Sequence, residues 1–259
     1  MTVTEVLVFP DAQRLAREVA ARLLAEITEA QRARTTASVV VTGGRNGNAV
    51  LEAVAEAPAP ETVDWARVDV WWGDERFLPE GDPERNETQA GERWGRLPLD
   101  PARLHPMPAS DSGYPDVDAA AAAYAAELAA DPRAEAGVPP FDVTLLGVGP
   151  DTHVASLFPG FPGPLERGRS VVGVTGAPKP PPDRISLTLP AIRAARQVWL
   201  LAAGADKANA VAMALSGADA EHSPASAAHG GLRTLWLLDE SAAAQLPPEV
   251  YPGAPGARA

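Results

Sequence analysis

Several short stretches of this chain join glycine or proline to side chains that can do chemistry. In Gly149-Pro150-Asp151-Thr152-His153 an imidazole stands two residues from a carboxylate. A histidine oriented by an acid suits general-base work near neutral pH. Four histidines are present, and the others have plainer settings: His105 lies between Leu104 and Pro106, while His222 and His229 flank a Ser/Pro/Ala loop. In the dense charge cluster Gly73-Asp74-Glu75-Arg76, Arg76 could clamp phosphate or carboxylate oxygens. Read alone, such a charge cluster is a solvated turn; its place at a strand end makes it a candidate. Thr42-Gly43-Gly44-Arg45-Asn46-Gly47 reads as a strand-to-helix glycine turn that offers backbone N–H groups to an anion. Asn86, which follows Arg85, reads as a helix cap. No metal is expected, because no His-x₃-His or His/carboxylate spacing of the usual metal-binding kind is present.

The lysines carry a separate signal. The chain uses 20 arginines and only two lysines, Lys179 and Lys207, in a composition whose Ala, Arg, Gly and Pro suggest GC-rich coding. Lys207 opens a helix after Gly204, and Lys179 sits with Arg184 in the stiff loop Pro178-Lys179-Pro180-Pro181-Pro182-Asp183-Arg184. Where arginine serves almost everywhere else, two lysines in strand-end loops point to a need for a compact point charge.

Composition narrows the classes. With 34 acidic and 22 basic residues the formal net charge is −12, which argues against a nucleic-acid or anionic-membrane partner. There is no cysteine, hence no disulfide, thiol nucleophile or Cys-ligated zinc. No stretch is long and apolar enough to span a membrane, and Met1–Phe9 lacks a basic leader, so a cytoplasmic protein is expected.

The elements that must hold these residues alternate. Strands are expected at 5–9, 37–41, 68–72, 141–146, 170–174, 185–188, 198–202 and 234–238. Helices are expected at 49–56, 86–94 and 117–130, and after Asp11, where Leu15, Val19, Leu23 and Ile27 recur at i+4. Val154–Phe158 reads as a short helical stretch. Strands alternating with helices make a mostly parallel sheet with helices on both faces, an α/β fold whose ligands bind beyond the carboxyl ends of the strands. Residues 1–246 are expected to form a single α/β domain, with Pro-rich loops at 58–60 and 178–182 and a frayed tail at 247–259.

Taken together, several stretches closely resemble the 6-phosphogluconolactonase family. They are Trp72-Gly73-Asp74-Glu75-Arg76-Phe77-Leu78-Pro79, Arg85-Asn86-x-x-Gln89-Ala90, the run from Phe141 through Gly149-Pro150-Asp151-Thr152-His153 to Gly160, and Pro178-Lys179-Pro180-Pro181-Pro182-x-Arg184-Ile185-Ser186-Leu187-Thr188-Leu189-Pro190. The resemblance implies hydrolysis of 6-phospho-D-glucono-1,5-lactone, a sugar-phosphate substrate and no organic cofactor. It also implies the Rossmann-like fold shared with glucosamine-6-phosphate deaminase and ribose-5-phosphate isomerase. On it, His153 is the catalytic histidine, Asp74 and Arg76 are the acid and arginine of the charged loop, and Arg184, Lys207 and Lys179 are basic residues near the sugar phosphate. In the mechanism this suggests, Asp151 or Asp74 orients His153, and Arg76 or the N–H groups of Gly43 and Gly44 face the developing oxyanion.

The chain departs from the family at two places. Thr152 replaces a usual glycine, so that backbone is either not left-handed or strained. The first loop carries Arg45 and lacks the usual proline. An isomerase/deaminase would want a glutamate five residues after the histidine, where Phe158 stands here. A non-catalytic sugar-phosphate sensor would keep the basic residues and need no His153.

Overall fold

The stripe Leu15, Val19, Leu23 and Ile27 buries one face of a long helix, α1 (Ala12–Arg34), whose first turn is capped by Asp11 accepting from the Arg14 N–H at 2.7 Å. This is a computed structural model, and it describes residues 3–57 and 63–251. The Pro-rich stretch at 58–60 and the tail beyond Tyr251 lie outside the described residues. Of the expected tail, Val250 and Tyr251 pack against the core.

In chain order the strands are β1 (Val3–Phe9), β2 (Ala37–Val41), β3 (Val68–Trp72), β4 (Asp74–Arg76), β5 (Leu104–His105), β6 (Val143–Gly147), β7 (Val171–Val174), β8 (Arg184–Leu187), β9 (Gln197–Ala202) and β10 (Arg233–Asp239). The helices after α1 are α2 (Gly44–Glu56), α3 (Asn86–Trp94), α4 (Val117–Ala130), α5 (Leu189–Arg193), α6 (Ala208–Leu215) and α7 (Pro224–Ala227). Among the described residues, seven strands form one sheet in the order β1-β10-β9-β6-β2-β3-β5, and every pairing in it is parallel. β2 and β3 are buried at every residue, as strands covered on both faces must be. From β2 the chain lays down β3 and β5 on one side, then returns to place β6, β9 and β10 on the other. The direction of winding reverses between β2 and β6, and there the strand-end loops diverge to leave a crevice.

Four sequence expectations change. The strands at 170–174 and 185–188 do not join the parallel sheet. As β7 and β8 they form a separate antiparallel sheet in the order β4-β8-β7. Its third member is the charged loop itself, because Asp74–Arg76 pairs along β8; three charged residues show none of the apolar alternation that marks a strand. α2 begins at Gly44, five residues earlier than its apolar face suggested. Val154–Phe158 is a tight turn built on bridges Val148↔Val154 and Val154↔Leu157, not a helix. Asn86 does not cap α3: Arg85 holds the cap position, and the Asn86 side chain turns inward.

Candidate functional site

The carboxyl ends of β2 and β6 deliver Thr42–Arg45 and Gly147–His153 to the crevice. β4 and β8 form one wall, and the turn after β9 brings Asp206 and Lys207. A cavity of about 370 Å³ opens there. Gly43, Gly44, Arg45, Asp74, Arg76, His153, Lys179, Arg184 and Lys207 all line it, and Asp151 stands beside them through His153. All the residues singled out in the sequence for chemistry thus meet in one place, although they come from five separate loops and strands.

His153 is held on three sides. Its Nδ1 faces Asp151 Oδ1 in a short hydrogen bond, and its ring lies 4.7 Å from that of Phe158. A β-carbon on Gly149 would fall 2.0 Å from His153 Nδ1 and 2.5 Å from Asp151 Oδ1, so the pair can fold over this backbone only because residue 149 is glycine. Burial pushes the Asp151 carboxyl up, but the His153 hydrogen bond and the charges of His153 and Lys179 outweigh it and bring it down to about 2. Asp74, the other acid considered for this role, makes different bonds: its carboxylate accepts from Ser156 Oγ at 2.7 Å and from Asn86 Nδ2 at 3.4 Å.

Two residues near His153 have left-handed backbones without being glycine: Thr152 at φ 69° and Ala155 at φ 50°. Thr152 is therefore in the strained alternative of the two the sequence left open. It is buried, and its hydroxyl donates to the His222 carbonyl at 3.1 Å, which ties the His153 turn to the segment before α7.

The basic groups fall into two sets. Arg76 and Arg184 are directly opposed in the β4–β8 register. Like charges across a strand pair repel, and here the carboxylates of Asp74, Glu75 and Glu84 offset that repulsion. Burial lowers the Arg184 pKa, and the Arg76 charge adds to this against the pull of Asp74. The Arg184 guanidinium also donates to the carbonyls of Pro181, Lys179 and Pro180, at 3.1, 3.1 and 3.3 Å, so it fixes the loop that carries Lys179. The second set is Arg45, Lys179 and Lys207. Lys179 Nζ lies 3.8 Å from Asp151 and Lys207 Nζ lies 3.7 Å from Asp206. Burial lowers the Lys207 pKa; Lys179 and Arg45 push the same way, against Asp206 and Asp151.

Behind this wall stand residues to which the sequence assigned no part in the site. Glu75 is fully buried; its carboxylate accepts from the backbone N–H groups of Arg76, Asn86 and Glu87 at 2.8, 2.6 and 2.9 Å, and Arg85 lies 3.8 Å away. Burial pushes this carboxyl up to about 7 against Arg85 and those three N–H groups. Asn86 donates to the Asp74 carbonyl at 2.9 Å and accepts from Arg76 at 3.1 Å. A β-carbon on Gly43 would lie 2.0 Å from Asn86 Oδ1, so the first loop closes directly onto this amide. Ser156 and Ser186, buried and linked N–H to Oγ at 3.1 Å, join the His153 turn to β8. Their signal in the sequence is a hydroxyl inside an otherwise apolar run.

Among the described residues no group of three His, Asp or Glu side chains gathers to hold a metal ion, and no helix is long and apolar enough to cross a membrane.

Residues 10–236 match the model of a family described as glucosamine-6-phosphate isomerases/6-phosphogluconolactonase. A 6-phosphogluconolactonase of Streptomyces coelicolor is 63% identical over 254 residues, covering 96% of this chain and 97% of that protein. The solved structure of the devB protein has a TM-score of 0.83 at 28% identity, covering 95% of this chain and 100% of the other. A monomeric glucosamine-6-phosphate deaminase has a similar fold, with a TM-score of 0.77 at 21% identity over 93% of this chain and 99% of its own.

Proposed function

The chain belongs to the glucosamine-6-phosphate isomerase/6-phosphogluconolactonase family, and from that membership we infer that it hydrolyses 6-phospho-D-glucono-1,5-lactone to 6-phospho-D-gluconate, a step of the oxidative pentose phosphate pathway. The observation that carries the choice within the family is the His153–Asp151 pair facing a cavity lined by basic side chains, with Phe158 where a deaminase would need its glutamate.

In the proposed mechanism, ionised Asp151 accepts a hydrogen bond from the His153 Nδ1–H, which keeps the proton on Nδ1 and leaves Nε2 with a lone pair. Nε2 takes a proton from a water attacking C1 of the lactone. The tetrahedral intermediate carries its charge on the former carbonyl oxygen, toward Arg76 and the N–H groups of Gly43 and Gly44. As the C1–O5 bond breaks, His153 returns the proton to the departing ring oxygen, and the ring opens to the acid. A positioned base of this kind contributes roughly 10²–10⁴-fold. Asp151 is preferred over Asp74 as the orienting acid because it makes the hydrogen bond. Arg184, Lys179, Lys207 and Arg45 would hold the phosphate. That substrate is a charged molecule that does not cross a bilayer unaided, which favours a cytoplasmic enzyme. The connected core, from Leu15 to Leu246, supports reading 1–246 as a single domain.

The test is lactone consumption followed with and without the protein, since the δ-lactone also opens spontaneously. The expected result is acceleration well above the buffer rate. No acceleration, or release of ammonia from an amino-sugar phosphate, would overturn the reading.

A further inference from the structure

The rim of the cavity carries a carboxylate that the proposed chemistry does not use. Asp206 lies in the short turn after β9, half-exposed on the rim, with Oδ1 3.3 Å from Arg45 Nη2 and Oδ2 3.7 Å from Lys207 Nζ. Of the other acids at the site, Asp151 is engaged by His153 and Asp74 by Ser156 and Asn86. Arg45 does not depend on Asp206 for its position, since it also donates to the Ala203 carbonyl at 2.7 Å. Lys207 is largely buried, and Asp206 is the carboxylate nearest its ammonium group.

We propose that Asp206 is an internal counter-ion: its carboxylate competes with an incoming phosphate for Arg45 and Lys207, and thereby sets how tightly phosphorylated substrate and product are held. The identity of that phosphate ester rests on the lactonase reading; the competition does not. Substrate and product carry the same phosphate, remote from the carbonyl that reacts. Tighter binding of that group lowers both ground state and transition state, so it cannot raise kcat and slows departure of the product. A rim carboxylate in a weak, exchangeable ion pair moderates the affinity without removing the cations that give selectivity.

The experiment titrates inorganic phosphate and 6-phosphogluconate calorimetrically into the wild-type protein, Asp206→Asn and Asp206→Glu at one ionic strength. Removing one charge about 4 Å from the cations should tighten phosphate binding by on the order of tenfold in Asp206→Asn. Asp206→Glu, which keeps the charge, should stay near wild type. The KM for the phosphorylated lactone should fall in Asp206→Asn alone. Phosphate affinity that is unchanged, weaker or undetectable in Asp206→Asn overturns the proposal and makes Asp206 a support for Arg45 instead. If none of the proteins hydrolyses the lactone, the functional reading fails, and the phosphate titration still decides the counter-ion.

Discussion

At the scale of single residues, the roles of His153 and of the cations separate cleanly in kinetics. His153→Ala should lower kcat by about 10²-fold or more with little change in KM, since the imidazole acts on the water and the phosphate is held elsewhere. Normal kcat in that variant would move the base to Asp74. Lys207→Ala should cost roughly 30-fold or more in kcat/KM for the phosphorylated lactone and little for unphosphorylated gluconolactone, because only the first uses the cation. Arg184→Ala should lose on both substrates, since its guanidinium also fixes the 179–181 carbonyls. The left-handed residues make a further pair. Ala155→Gly relieves backbone strain at φ 50° and should stabilise the protein by about 0.5–1 kcal/mol in urea unfolding. Thr152→Gly gains the same relief but loses the buried hydroxyl bond to His222, worth about 0.5–1.5 kcal/mol, so its midpoint should lie below that of Ala155→Gly. The reverse order would show that the hydroxyl bond contributes nothing.

At the scale of elements, the edge of the parallel sheet contains a pH-dependent tie. His105, on the two-residue strand β5, stacks on Trp71 at 3.8 Å and bonds Glu127 of α4 at 2.8 Å, with Asp69 of β3 at 3.9 Å. Burial pulls its pKa down, but the bonds and charges of Asp69 and Glu127 prevail and raise it to about 9. A histidine raised in the folded state stabilises fully below its unfolded value, near 6.5, and loses that contribution as pH rises through about 9. Thermal unfolding of the wild type should therefore lose about 1–3 kcal/mol more than His105→Gln between pH 6.5 and 9.5. Equal losses would mean the ion pairs are solvated and weak. These contacts also mark where sequence stops being informative. Leu15, Val19, Leu23 and Ile27 announce α1 by spacing, and β2, β6, β9 and β10 announce themselves as short apolar runs, each with a glycine near one end. β4 does not, because it is a strand by virtue of its partner β8, and a charged tripeptide carries no trace of that pairing. Most site residues were legible because glycine at a strand end and a functional side chain adjoin in the chain, and Lys179 and Arg184 because they share a stiff proline loop. Glu75, Arg85, Asn86, Ser156 and Ser186 were not, because each acts on a group distant in sequence.

At the scale of the whole molecule, one connected core joins both sheets, and all six tryptophans are buried in it: Trp65, Trp71, Trp72, Trp94, Trp199 and Trp236. If 1–246 is a single domain, unfolding followed by tryptophan fluorescence and by far-UV circular dichroism should coincide in one transition. Two separated midpoints would divide the chain into independent units. The neighbour of β1 raises a different matter, one of time. β1 is an edge strand whose partner in the sheet is β10, and Val3 pairs with Arg233, 230 positions later. On a ribosome adding about 5–20 residues per second, β1 waits roughly 10–50 s for the strand it needs. During that interval β2, β3 and β6 can already assemble the middle of the sheet, while Val6-Leu7-Val8-Phe9 has no edge of its own to join. Synthesis halted before Arg233 would release a chain with that apolar run permanently unpaired, a ready template for the open edge of another unfinished copy.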